Sequence, residues 1–212
     1  FDVHVPQWNA CCPGGGYYPP YKMKGLTQAG IEDEYVTDRV SKLAVEFIQK
    51  SGHQPFFLYL SHFSVHDPIQ GRSDLVEKYE QKLARTVGAK GPAFILEGNP
   101  DDPTPLSRNQ LAHLNNQPSH AVHTVLPHRT VKVKQHQDNA HFAAMVESID
   151  HSLARVIDVL EKQGLRDNTI ILFYSDNGGM SAGNWGKRSR VVPEDILDTA
   201  YATSNLPLRG AK

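Results

Sequence analysis

The chain has 212 residues, 39% of them hydrophobic, and a formal net charge of -1 from 22 basic and 23 acidic side chains. That length suffices for one domain with a substantial core. The balance of charge gives no electrostatic reason to expect nucleic acid or an anionic membrane as partner, and the longest apolar stretch is far too short for a membrane span. No secretory leader is visible, and both ends read as cuts through a larger protein.

Residues 1–30 read as irregular, because Pro13-Gly14-Gly15-Gly16-Tyr17-Tyr18-Pro19-Pro20 cannot be the interior of a helix or central strand. The two cysteines, Cys11 and Cys12, are adjacent. Neighbouring cysteines rarely bridge each other, so metal ligation, pairing outside the chain and a plain thiol state all stay open. Residues 35–50 carry Val36, Val40, Leu43, Phe47 and Ile48 at helical spacing, with Gly52 as a stop. Pro55 opens Phe56-Phe57-Leu58-Tyr59-Leu60, an apolar run that predicts a strand buried on both faces. Ser61-His62-Phe63-Ser64-Val65-His66-Asp67-Pro68 follows as a loop.

Residues 73–86 predict a second helix, with Leu75, Val76, Tyr79 and Leu83 on one side. From about 88 to 137 the pattern fails, apart from a helical turn at Gln110–Leu114, and the stretch reads as a loop or insertion. Its His120, His123 and His128, with His136 and His141 beyond, do not follow a closed zinc pattern and read as surface histidines. Arg129, Lys132 and Lys134 read as a small solvated basic stretch. Residues 140–163 give the clearest helix, with an apolar stripe from Phe142 to Leu160 and Gly164 as its stop. Asp167-Asn168 then turns into a second predicted buried strand, Thr169–Tyr174, which ends in Ser175-Asp176-Asn177-Gly178-Gly179.

Two helix-associated apolar strands, each running into a polar loop, predict an α/β fold with a mostly parallel sheet. In such sheets ligands bind beyond the carboxyl ends of the strands. The loops at His66 and Asp176 occupy those positions. Asp176 and Asn177 offer oxygen donors suited to Ca²⁺ or Mg²⁺. His66 can protonate a leaving oxygen, His62 is equally available from sequence alone, and Lys212 can pair with an anion.

The segments Pro55–Gln70, Ala144–Asp150, Gly164–Thr169, Ser175–Gly179 and Asn205–Lys212, taken in order, resemble the central part of a sulfatase of the arylsulfatase family. The resemblance implies an alkaline-phosphatase-like catalytic core, apparently incomplete here, with a mostly parallel mixed sheet flanked by helices. It implies hydrolysis of organic sulfate esters, sulfated carbohydrates among them, through a formylglycine nucleophile made from a Cys/Ser-x-Pro-x-Arg motif. It places Asp176 and Asn177 as two ligands of a divalent cation, Ca²⁺ before Mg²⁺. It gives His66 the sulfate ester and its leaving group, and Lys212 the sulfate near the leaving oxygen.

No Cys/Ser-x-Pro-x-Arg occurs in the chain, since Cys11-Cys12-Pro13-Gly14-Gly15 lacks the arginine. The formylglycine and the acids completing the metal site are therefore expected upstream of Phe1, or on a missing polypeptide segment. The isolated chain is expected to be inactive. A phosphodiesterase or phosphonate hydrolase of the same superfamily, and an inactive fragment or noncatalytic binding domain, are the alternatives. The family resemblance suggests a periplasmic, secreted or lysosomal setting.

Overall fold

A computed structural model describes residues 2–26, 32–52, 54–98, 103–116, 130–183 and 202–208. The chain divides into two compact units. The first comprises Phe1–Gln81 and Ala140–Tyr174, the second Lys82–Asn139 and Ser175–Lys212.

Helices dominate the first unit. Helix α1 spans Val36–Ser51, α2 Ser73–Ala84, and α4 Ala140–Lys162. All three fall where apolar residues recur at helical spacing, and the glycines expected to stop α1 and α4 have positive φ, 57° at Gly52 and 66° at Gly164. Helices α1 and α4 pack on each other through Ala44, Ile48, Val156, Val159 and Leu160. Small buried polar residues, Ser41, Ser148 and Ser152, share the buried faces of these helices. Asp38 on α1 accepts from Arg155 on α4 and, at 3.1 Å, from Arg72 just before α2, so one carboxylate ties three segments together. Leu75 and Val76 of α2 pack on Ala144 of α4.

The two apolar runs depart from expectation. Residues 55–60 and 169–174 join no strand ladder among the described residues. Phe56, Leu58, Leu60 and Ile171 rest against the α1–α4 core. Their neighbours face out: Phe57 is 72% exposed, Tyr59 68%, Ile170 88% and Leu172 81%. The prediction of strands buried on both faces is therefore corrected. Side chains alternate as in a strand over 56–60 and 169–172, whereas Phe173 and Tyr174 are both exposed, and no described strand lies alongside to pair with the backbone.

Between residues 66 and 73 the chain passes tightly against α4. A Cβ on Gly71 would lie 2.7 Å from both Ala144 Cβ and the His141 carbonyl oxygen, and 2.8 Å from Val76 Cγ2. Gly71→Ala is expected to destabilise the chain by about 1–3 kcal/mol, as overpacking does when a backbone must move. The midpoint of urea denaturation checks this, and an unchanged midpoint would mean that the passage yields freely.

The second unit holds a three-stranded antiparallel sheet in the order β1-β2-β3, formed by Phe94–Gly98, Thr130–Lys134 and Ala182–Gly183. Helix α3, Arg108–Asn115, starts on a capping box between Ser107 and Gln110. The stretch 88–137 thus carries two strands and a helix among its described residues. The parallel sheet expected from sequence is not what these strands form. Lys132 and Lys134 also correct the reading of a solvated basic stretch, since both are buried strand residues. Their ammonium groups lie 4.7 and 5.6 Å from the Phe94 ring centroid, and Lys134 Nζ is 2.8 Å from Asp138 Oδ1. Arg129, His120, His123 and His128 lie outside the described residues. No described helix is long and apolar enough to cross a membrane.

Candidate functional site

In the first unit the loop carrying His66 is fixed largely through its backbone. Tyr17 Oη donates to the carbonyl oxygens of Phe63 (2.8 Å) and His66 (2.9 Å). The His66 N–H donates to the Phe63 carbonyl at 2.8 Å, closing a turn. Thr37 on α1 meets Ser64 hydroxyl to hydroxyl at 2.8 Å, and Tyr35 Oη donates to the Gln70 carbonyl at 2.8 Å. Tyr17 and Tyr35 stack at 5.4 Å. Burial pushes the Tyr17 phenol far above its ordinary range, so it stays a protonated donor at any physiological pH. The glycine-rich segment read as merely irregular is thus the support under the loop.

The His66 imidazole lies with Nδ1 3.2 Å from Cys12 Sγ, and Cys11 Sγ is 3.0 Å from Cys12 Sγ. Sequence reasoning left the cysteines and the histidine unconnected, because residues 54 apart carry no local spacing signal. Where the Cys12 thiol donates to Nδ1, the ring proton sits on Nε2, the tautomer that can donate to an ester oxygen.

His62, equally available from sequence alone, is a different kind of residue. Its Nδ1 is buried with no hydrogen-bond partner among the described residues, and desolvation pushes its pKa down from 6.5 to about 4. It stays neutral where a general acid would need its proton. Because the folded-state pKa is depressed, the unfolded chain takes up the proton first as pH falls. Stability is full above about 6.5 and is lost toward 4, by on the order of 3 kcal/mol in total. His62→Leu is expected to flatten that slope, measured as urea midpoints from pH 7 to pH 4. An unaltered slope in the variant would assign the effect elsewhere.

In the second unit Asp176 and Asn177 are exposed at the turn following residue 174. Asp176 Oδ1 accepts from the Asn177 N–H at 2.9 Å, and Asn177 Nδ2 donates to the Gly178 carbonyl at 2.9 Å. That second bond sets the amide rotamer and directs Asn177 Nδ2, not Oδ1, to the backbone. The next residues are clamped by Asn205. The Gly179 N–H donates to its Oδ1 at 3.0 Å, and its Nδ2 donates to the Gly179 carbonyl (2.9 Å) and Ser181 Oγ (3.1 Å). A Cβ on Gly178 would lie 3.0 Å from Asn205 Nδ2, a tight approach to the clamp.

The donors of Asp176 and Asn177 are all oxygen, which fits a hard divalent cation. Among the described residues no cluster of three acids, histidines or cysteines includes Asp176. Lys212 lies outside the described residues.

The sequence profile of the sulfatase family matches residues 8–210. The chain belongs to the sulfatase family. It is similar to an arylsulfatase of Klebsiella aerogenes, 27% identical over 171 residues covering 78% of this chain and 35% of that protein. A sulfatase of Formosa agariphila is 30% identical over 130 residues, covering 48% of the chain and 24% of the relative. A multifunctional alkaline phosphatase superfamily protein of Trinickia caryophylli is 23% identical over 184 residues, 84% of the chain and 32% of the relative. The chain spans about a quarter to a third of the length of these relatives. Membership carries the alkaline-phosphatase-like α/β fold.

Proposed function

We propose that this chain supplies the central part of a catalytic core that hydrolyses organic sulfate esters, sulfated carbohydrates among them. That core would be built on a mostly parallel sheet flanked by helices. The observation that carries the reading is the His66 loop, fixed by Tyr17 and Tyr35, in a chain matched by the sulfatase family over nearly its whole length.

Asp176 and Asn177 would hold Ca²⁺ together with acids from outside this chain. When bound, the ion supplies positive charge against the sulfate oxygens. Asn177 is preset for this, because its amide nitrogen is committed to the Gly178 carbonyl. Lys212 would bind the sulfate near the leaving oxygen and offset its negative charge. His66 would donate a proton to the leaving oxygen, an alkoxide or phenolate that departs poorly without one. A formylglycine from outside this chain would supply the nucleophile, and the stretch 88–137 would select the substrate. On its own, the 212-residue chain is expected to bind Ca²⁺ weakly and to turn nothing over.

A phosphodiesterase or phosphonate hydrolase is the second reading, favoured by the similarity to the multifunctional relative. The deciding experiment assays the complete protein on matched aryl and sugar esters of sulfate and phosphate. Sulfate release exceeding phosphate release supports the proposal. A preference for phosphate diesters or phosphonates would replace it with the second reading, and no turnover of any ester would favour a noncatalytic binding role.

A further inference from the structure

The pair Cys11–Cys12 has no part in the proposed hydrolysis, yet the fold brings it against His66 from 54 residues away. The two sulfurs and the imidazole nitrogen all lie within 4.8 Å of one another. Among the described residues this is the one place where three metal-ligating groups converge. We propose that Cys11, Cys12 and His66 form a binding site for a single zinc ion.

The donor set selects the metal. Thiolate sulfur and imidazole nitrogen favour zinc over the oxygen-seeking Ca²⁺ and Mg²⁺. Zinc lies about 2.3 Å from sulfur and about 2.0 Å from nitrogen, so around a tetrahedral ion two sulfurs stand about 3.8 Å apart and a sulfur stands about 3.5 Å from a nitrogen. The observed 3.2 Å from sulfur to Nδ1 needs to open by about 0.3 Å and the 3.0 Å between sulfurs by about 0.8 Å, which rotation of the exposed Cys11 side chain can supply. The sulfurs are also much farther apart than the roughly 2.05 Å of a disulfide, so both remain thiols able to ionise and ligate.

Both sides of the site are anchored before any ion arrives. The Cys12 carbonyl accepts from Trp8 Nε1 at 2.8 Å. The turn beyond it is closed by bonds from the Gly16 N–H to the Pro13 carbonyl (3.0 Å) and from the Lys22 N–H to the Gly14 carbonyl (2.7 Å). On the other side Tyr17 holds the His66 carbonyl. Cys11 is exposed, which gives an ion its approach. Three protein ligands leave a fourth position for water or another small donor. Ligation through Nδ1 would also lock the ring proton on Nε2. The site follows from the positions of the three side chains and stands whether or not His66 acts in sulfate-ester hydrolysis.

Zinc titration of the 212-residue chain against a chromophoric chelator tests this, alongside Co²⁺ substitution and alkylation of the cysteines by iodoacetamide. One tightly bound zinc per chain is expected, with a thiolate-to-cobalt charge-transfer band and protection of both cysteines at saturating zinc. Cys12→Ser and His66→Ala should each weaken binding at least tenfold. Alkylation of the unaltered chain does not depend on a variant folding. Cysteines that react equally fast with and without zinc would overturn the proposal, as would zinc affinity and cobalt spectrum unchanged in the double variant Cys11→Ser, Cys12→Ser. None of these readouts measures ester hydrolysis, so failure here leaves the functional proposal untouched.

Discussion

Asp176→Ala in the complete protein is expected to lower sulfate-ester turnover by roughly a thousandfold or more. A cation at the reacting group supplies several kcal/mol of charge stabilisation, and each 1.36 kcal/mol is a factor of ten. The structure makes the variant clean. Asp176 is exposed, and its carboxylate accepts a local bond from the next residue's N–H rather than bracing the core. Its removal should therefore change folding stability by less than about 1 kcal/mol. Loss of activity with an unchanged melting temperature is the signature of a ligand, whereas joint loss would mark a structural residue. Asp176→Asn, which retains one oxygen of the right reach, should recover part of the rate at high Ca²⁺. A variant with unaltered rate and unaltered Ca²⁺ dependence would remove Asp176 from the metal site.

Much of the helical framework was legible because amphipathic periodicity is a local property. Val36, Val40, Leu43, Phe47 and Ile48 declare one face of α1 before any partner is known, of which Val36, Val40 and Ile48 are buried, and Gly52 and Gly164 mark the stops of α1 and α4 by a conformation other residues avoid. The apolar runs at 56–60 and 170–174 were harder for a reason of principle. Composition reports that a segment is meant to be covered, but not which part of the protein covers it. Phe56, Leu58 and Leu60 find α1 and α4, while Phe57 and Tyr59 stay largely exposed. The buried lysines of β2 failed the opposite way. Charge suggested solvent, but the flat ring of Phe94 and the carboxylate of Asp138 give Lys132 and Lys134 a local environment that sequence alone does not announce.

The candidate site shows the same division. Asp176, Asn177 and His66 were legible as residue types at the ends of apolar runs and through family resemblance. Their supports were not. Tyr17 reaches the His66 loop from 46 to 49 positions away, and Asn205 reaches Gly179 from 26. Such bonds depend on how the chain returns to itself, which no local pattern encodes. His62 and His66 look alike in sequence, yet the first has its Nδ1 buried and the second lies beside a thiol. Only packing separates them.

That separation makes the second large effect specific to His66. His66→Ala in the complete protein is expected to cut sulfate-ester hydrolysis by about 10²–10⁴, the range for losing a positioned general acid. The loss should depend on the leaving group. A sugar alkoxide needs a proton to depart, so sugar sulfates should show the full effect. The anion of an acidic nitrophenol departs unaided, so its sulfate should show much less. A steeper dependence of rate on leaving-group pKa in the variant is therefore the decisive readout. Folding should be little affected, because the bonds from Tyr17 go to the backbone of residues 63 and 66, which alanine retains. A uniform loss across all leaving groups would instead indicate that His66 binds the sulfate without donating a proton. A wild-type rate on sugar sulfates would take His66 out of the reaction and leave the thiol pair as its one described chemical neighbour.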